Sequence, residues 1–213
     1  MRAVQDFEQQ GVCCIFDLGD VVDRRAGDEC RASLQEILHL WNPATIPTFH
    51  LVGNLMTYRD VVYIKEAFVR PPGSLYFSYQ VGEITFIALD TYDLAFCGSP
   101  SRATETERLY QKLRSSSRSP HLHQHPELNG GLSATQMLWL EERLMQVQKY
   151  GGFAVMISHA PLYPGLTKYG DAACWNGPEV VQLIDKYSSH VLCCLAGHDH
   201  YGAECVHQEA FRM

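Results

Sequence analysis

No apolar run in the 213-residue chain approaches the roughly 20 residues that a membrane-spanning helix requires, so a bilayer is not an expected partner. An excess of positive charge is missing too. Seventeen Lys and Arg stand against 24 Asp and Glu, a formal net charge of −7 at pH 7, which disfavours attraction to a nucleic-acid backbone or to anionic lipid. Residues 1–6, Met1-Arg2-Ala3-Val4-Gln5-Asp6, have neither the basic start nor the apolar core of a signal peptide. No internal repeat is visible. Small ligands are then the expected partners, and an anionic one needs a local positive centre that the overall charge does not supply. Bound metal ions can provide it.

Eight cysteines are present, but four come as adjacent pairs in apolar runs, Cys13-Cys14 and Cys193-Cys194. Neighbours on a strand point to opposite faces, so these read as reduced, buried, small hydrophobic residues, and a cytoplasmic location is expected. A hydrophobic content of 46 % with 11 Tyr and 9 Phe describes a folded globular chain, and its length suits a single domain over residues 1–213.

Five apolar runs read as largely buried strands: VCCIFDLGD (12–20), TFHLVGN (48–54), ITFIALD (84–90), FAVMISH (153–159) and VLCCLAGH (191–198). Asp17 and His50 interrupt two of them. Helical patterns lie between. Ser133 and Gln136 have the spacing of a capping box ahead of Met137, Leu140, Leu144 and Val147, with Gly151-Gly152 as the stop. A second helix follows Pro178 and buries Val181, Ile184 and Tyr187, and residues 31–40 read as a third. The alternation predicts a layered α/β domain with a mixed or mainly parallel sheet. Residues 114–126, RSSSRSPHLHQHP, have no apolar periodicity and read as a flexible surface loop, whose His121, His123 and His125 are set aside because ligands on such a segment are poorly preorganised.

Open α/β sheets collect ligands at the carboxyl ends of their strands. Asp20, Asn54, His159, His198 and His200 all fall at such ends, three of them directly after a glycine: Gly19-Asp20, Gly53-Asn54 and Gly197-His198. One Asp, one Asn and three His, with no Ser or Cys paired to a base, make a poor nucleophilic triad. They make a good shell for a borderline divalent metal, since imidazole nitrogen and carboxylate oxygen suit Zn, Fe or Mn. Singly each residue is equally well a turn former or a hydrogen-bonding histidine; the ordered set favours metal. Asp23, Asp90, Tyr92, Asp93, Asn129-Gly130-Gly131, Trp175 and Asn176 are lesser candidates. Asp23 can orient a ligand from behind, Asp90, Tyr92 and Asp93 can line a pocket, and residues 129–131 can meet phosphate through backbone N–H groups. Plain turn or core roles serve these residues as well.

The ordered series LGDVVD, VGN, ISH and AGHDH resembles the calcineurin-like metallophosphoesterase superfamily. LDTYDLAFCG, NGGLSATQMLWLEERL, SHAPLYPG and CWNGPEVVQLI look more specifically like the manganese-dependent ADP-ribose/CDP-alcohol diphosphatases, along nearly the whole chain. The resemblance implies a layered sandwich with a central mixed β-sheet flanked by helices. It implies that Asp20 bridges two metals, that Asn54, His159 and His198 complete one site, and that His200 serves the other. Mn²⁺ is the implied ion, with Zn²⁺, Fe²⁺ or Mg²⁺ as alternatives, and the implied substrates are ADP-ribose, CDP-alcohols such as CDP-choline, and related nucleoside diphosphate derivatives. The catalytic set carried over is Asp20, Asn54, His159 and His198.

Two departures accompany it. The D-x-H or D-x-Q strand that opens the pattern is not found upstream of VCCIFDLGD, and the strands expected beyond AGHDH are also missing, which gives the expectation of a partial domain. Leu55 occupies the histidine position of G-N-H, and leucine can neither stabilise charge nor protonate a leaving oxygen. The alternative expectation is therefore a truncated, catalytically impaired homologue that binds metal or nucleotide without efficient turnover.

Overall fold

The computed structural model describes residues 2–22, 28–41, 46–54, 74–115, 126–168, 172–207 and 211–212. The readings placed on Asp23, on Leu55, on His121, His123 and His125, and on all of the 114–126 segment except its two ends and Ser115 lie outside these residues. The two ends belong to neighbouring elements, Arg114 to a helix and Pro126 to a single 3₁₀ turn.

In chain order the elements are α1 (Arg2–Gln9), β1 (Ile15–Asp17), α2 (Asp28–Trp41), β2 (Thr48–His50), β3 (Phe77–Val81), β4 (Ile84–Leu89), β5 (Leu94–Ala95), α3 (Ala103–Arg114), β6 (Gly130–Gly131), α4 (Ala134–Lys149), β7 (Phe153–Ser158), α5 (Gly177–Asp185), β8 (Val191–Ala196), β9 (Val206–His207) and β10 (Phe211–Arg212). The central sheet is mixed, in the order β3-β4-β7-β8-β10-β9. β4, β7 and β8 run parallel, and β3 joins β4 as an antiparallel hairpin. β1 and β2 form a separate parallel pair that matches Asp17 with His50 across the strands.

Strand side chains alternate between two faces, and the packing follows that period of two. Ile87, Leu89, Ala154, Met156 and Cys194 face a helical layer built from Leu140, Leu144 and Val147 of α4 and Val180, Val181 and Ile184 of α5. Phe86, Ala88, Val155, Ile157 and Cys193 face the other way, onto Phe16, Leu18, Phe49 and Leu51 from β1, β2 and the residues just beyond them. Phe16 stacks on Phe49 at 5.0 Å and leans on Phe86 at 4.8 Å, so the β1–β2 pair is fastened to the central sheet by rings. Helix α2 closes that side through Leu34, packed with Val22, Val52 and Leu75. The result is a helix layer, a central sheet and a smaller β–α layer, with each of the five expected strand runs supplying one strand.

Three expectations are corrected. Cys13 is exposed and Cys14, Cys193 and Cys194 only half-buried. For the first pair the reason is that β1 starts at Ile15, so both precede the strand; Cys13, Cys14, Cys97, Cys174, Cys193, Cys194 and Cys205 are free. The capping box is half formed: Ser133 Oγ accepts the Gln136 N–H at 3.1 Å, but the Gln136 side chain does not return the bond. It is drawn to Asp90 and Asp93 instead. Strands were expected to be missing beyond AGHDH, yet β9 and β10 follow it and extend the central sheet from β8; β3 and α3 were not foreseen. No helix among the described residues is long and apolar enough to cross a membrane.

Candidate metal centre

The centre starts at the four residues that leave β1. Asp17 Oδ1 accepts the Gly19 N–H at 3.0 Å, a local side-chain-to-backbone turn that ends the strand. Gly19 then takes φ 100° and Asp20 φ 55°. His198 has φ 65°, and these two are the only non-glycine residues with positive φ among the described residues. Such backbone is costly for a residue carrying a Cβ and persists where surroundings enforce it, commonly at functional sites. Of the three glycines that precede site residues, only Gly19 has positive φ; Gly53 and Gly197 do not. Gly53 serves close approach, because a Cβ there would collide with the Asp20 carboxylate and lie 2.7 Å from the Asp20 nitrogen.

His159 follows β7 directly and is buried. Its Nδ1–H donates to the Leu18 carbonyl at 2.6 Å, which leaves Nε2 to face the centre. That atom lies 3.2 Å from Asp20 Oδ2 and 3.4 Å from Asn54 Oδ1. The His198 ring sits 5.0 Å from the His159 ring, and its Nε2 is 3.2 Å from Asn129 Oδ1. Asp20, His159 and His198 each offer one ligand atom within 4.8 Å of the others. With Nδ1 engaged by the Leu18 carbonyl, His159 presents Nε2 to the same space as the Asp20 carboxylate and the Asn54 amide oxygen. Imidazole nitrogen and carboxylate oxygen gathered this closely are the donor types of a borderline divalent metal, so the residues present fit one.

The electrostatics agree. Burial, reinforced by the neighbouring His159 and opposed by Asp20, pushes His198 down to about 4, which keeps its ring neutral and able to ligate at neutral pH. Tyr92, buried with its ring 5.8 Å from that of His159, is held as a phenol by burial and by the Asp20 carboxylate. Its hydroxyl donates to the Leu128 carbonyl at 3.1 Å.

Of the residues expected at the site, Asp20, Asn54, His159 and His198 come together, from the carboxyl ends of β1, β2, β7 and β8. Asn129 joins them through His198. His200 is exposed and stands outside the three-ligand group, although it lies near enough to weigh on His198. No second group of three or more His, Cys, Asp or Glu gathers among the described residues. Asp90 makes a turn, accepting the Tyr92 N–H at 3.0 Å. Asp93 pairs with Arg102 and accepts the Ser133 N–H, and Asn176 ties down both backbone groups of Leu132. Trp175 packs in a core with Tyr110 and Leu113. Asp17 and His50, read from the sequence as interruptions, are partners at 2.9 Å. The available signal was that each polar residue falls shortly before a strand-end pair, Asp17 two residues before Gly19-Asp20 and His50 three before Gly53-Asn54.

No protein-family model matches the chain. It is 27 % identical to the manganese-dependent ADP-ribose/CDP-alcohol diphosphatase of Arabidopsis thaliana, over 96 % of this chain and 70 % of that protein. It is 26 % identical to the Mus musculus protein of the same name and 25 % identical to the Homo sapiens one, in both cases over 94 % of this chain and 67 % of the relative. The fold matches the crystal structure of a dimetal phosphatase from Danio rerio with a TM-score of 0.80, at 21 % identity, covering 99 % of this chain and 74 % of that one. With an Asp/His/His group at the strand ends that could hold a metal ion and likeness along nearly its full length, the chain is a distant homologue of the manganese-dependent ADP-ribose/CDP-alcohol diphosphatases.

Proposed function

We propose that the chain is a metal-dependent phosphohydrolase that cleaves the diphosphate linkage of ADP-ribose, of CDP-alcohols such as CDP-choline, or of related nucleoside diphosphate derivatives. The products are a nucleoside monophosphate and a phosphorylated partner. One observation carries the reading: Asp20, His159 and His198 converge from three distant strand ends into one ligand group, two of them on left-handed backbone. The names of the relatives supply the substrate class and the preference for Mn²⁺.

Asp20, His159 and His198 would hold the ion, with Asn54 alongside. Bound Mn²⁺ would supply Lewis acidity, activating water and neutralising charge on phosphoryl oxygens. The chain's own residues prepare for this. Leu18 fixes the His159 ring so that Nε2 faces inward, burial keeps His198 neutral, and Asn129 steadies the His198 ring. Against a net charge of −7, such a centre is also what a diphosphate needs for attraction.

A second reading, metal or nucleotide binding without efficient turnover, is favoured by Leu55 at the position where the resembling sequences have histidine, and by His200 standing outside the ligand group. Release of AMP from ADP-ribose and of CMP from CDP-choline, measured with and without Mn²⁺, separates the two. The expected result is Mn²⁺-dependent release that falls at least about 100-fold in Asp20→Ala and in His198→Ala. Hydrolysis that survives both substitutions rules out the site. Stoichiometric Mn²⁺ without release establishes the second reading.

A further inference from the structure

Asp17 and His50 lie directly opposite each other in the β1–β2 register. Both side chains are largely enclosed, 18 % and 6 % exposed, and the edge of the Trp41 ring covers His50 at 5.7 Å. Inward-facing polar residues on so short a strand pair contribute nothing to an apolar core, and burying them is unfavourable unless their hydrogen bonds are made. His50 Nδ1–H donates to Asp17 Oδ2 at 2.9 Å, while Asp17 Oδ1 accepts the Gly19 N–H at 3.0 Å. The carboxylate is thus a rigid bridge between β2 and the turn that leaves β1.

That turn governs two ligands at once. Its second residue, Leu18, supplies the carbonyl that accepts His159 Nδ1–H at 2.6 Å, and its fourth, Asp20, supplies the carboxylate 3.2 Å from His159 Nε2. The Leu18–Gly19 peptide has its C=O committed to His159 and its N–H committed to Asp17. Rotation of this one peptide unit would release His159 from its tautomer and swing Asp20 away together.

Resting on the metal-site reading above, we infer that Asp17 and His50 are a positioning pair for the metal ligands: His50 holds Asp17, and Asp17 holds the peptide that aims Asp20 and His159. The pair touches neither ion nor substrate. It acts through the turn, as the hydrogen-bonding partners behind metal ligands do.

The test compares wild type with Asp17→Ala, Asp17→Asn, His50→Ala and His50→Asn, in two arms. In the first, Mn²⁺ is titrated calorimetrically. Loss of a partner behind a ligand typically costs about 10–100-fold in metal affinity, and Asp17→Ala is expected in that range. Asp17→Asn keeps an oxygen for the Gly19 N–H and offers an amide N–H that His50 Nδ1 accepts once its ring proton moves to Nε2, and His50→Asn replaces Nδ1–H with Nδ2–H. Both are expected to stay within about 3-fold of wild type, whereas His50→Ala loosens binding by more than that.

The second arm uses metal-free protein. Asp17→Ala is expected to speed exchange of the Gly19 amide at least about 10-fold, as for a lost hydrogen bond of about 1.4 kcal/mol, and to turn the ¹⁵N signature of the His159 ring from one tautomer into a mixture. A merely stabilising pair would lower the melting temperature without moving these ring shifts, and its loss would not be repaired by the amide variants. Folded Asp17→Ala with wild-type Mn²⁺ affinity, Gly19 exchange and His159 tautomer overturns the inference. Should Asp17→Ala not fold, His50→Ala against His50→Asn decides by the same readouts. Should wild type take up no Mn²⁺, the metal reading falls, and the metal-free arm still judges the positioning.

Discussion

At the scale of single residues the centre is built from conformations that most sequences avoid. Asp20 and His198 keep positive φ, the kind of backbone that costs about 1–3 kcal/mol each for a residue with a Cβ. Asp20 is flanked there by His159 Nε2 at 3.2 Å and by Gly53, whose missing side chain leaves room for the carboxylate. Gly53→Ala adds one carbon where the Asp20 backbone nitrogen stands 2.7 Å away, so either the β2 end or the Asp20 turn must shift. Overpacking of this kind costs about 1–3 kcal/mol. The expected outcome is a lower melting temperature together with Mn²⁺ affinity weakened at least about 10-fold, as for a displaced ligand shell. Calorimetric unfolding and Mn²⁺ titration on the same preparation check both; a variant as stable as wild type with unchanged affinity would show that the turn has slack.

Among the elements, α4 owes its place to a residue that local pattern assigned to something else. Gln136 is fully buried. Its Oε1 accepts the Asp90 N–H at 2.9 Å, and its Nε2 donates to the Asp90 carbonyl at 2.9 Å and to Asp93 Oδ2 at 3.1 Å. Gln136→Leu leaves these groups buried without partners, at about 1–3 kcal/mol for each unsatisfied group, whereas Ser133→Ala removes one cap bond worth about 1 kcal/mol. Chemical denaturation of the two variants is therefore expected to show Gln136→Leu as clearly the more damaging; equal losses would mean that the Asp90–Asp93 turn stands without the helix. The capping-box spacing could not reveal this, because Gln136 is engaged 46 residues away in sequence. The same limit explains the Asp17–His50 pair, 33 residues apart. The buried strands β1, β2, β4, β7 and β8 were legible because continuous apolar runs are hard to place anywhere else. Strand β3 shows only an alternation, Phe77, Tyr79 and Val81 against exposed Ser78 and Gln80, and α3 only the narrow stripe Thr106, Tyr110 and Leu113, so neither has the continuous apolar run by which the other strands were read. The candidate ligand residues stood out for a further reason: chemistry-bearing side chains at the ends of buried strands have few other tasks, and the fold adds that Asp20, His159 and His198 lie close together.

Over the whole molecule, metal binding at the proposed centre would make binding and folding one equilibrium, because the three-residue group exists only when three strand ends are assembled. Mn²⁺ at 100 times its dissociation constant stabilises the folded chain by about 2.7 kcal/mol, or roughly 5–10 °C for a chain of this size. Proton binding adds a second dependence with a definite sign. His198 is pushed down to about 4 in the folded state against about 6.5 unfolded, so the unfolded chain takes up a proton that the folded one refuses. The metal-free protein thus has its full stability above about pH 6.5 and loses His198's share as the pH falls toward 4, about 1.4 kcal/mol by pH 5.5. Folded His198 is still neutral at pH 5.5, and its ring remains available to the ion there. Thermal unfolding at pH 7.5, 6.5 and 5.5, with and without Mn²⁺, is expected to show a metal-free melting temperature that declines with pH. Removing the imidazole in His198→Ala should shrink that decline by about 3–6 °C at pH 5.5 and abolish most of the Mn²⁺ increment at every pH. A variant that keeps both the slope and the increment would detach His198 from the ion and from the proton alike, and would place Mn²⁺ somewhere other than the Asp20–His159–His198 group.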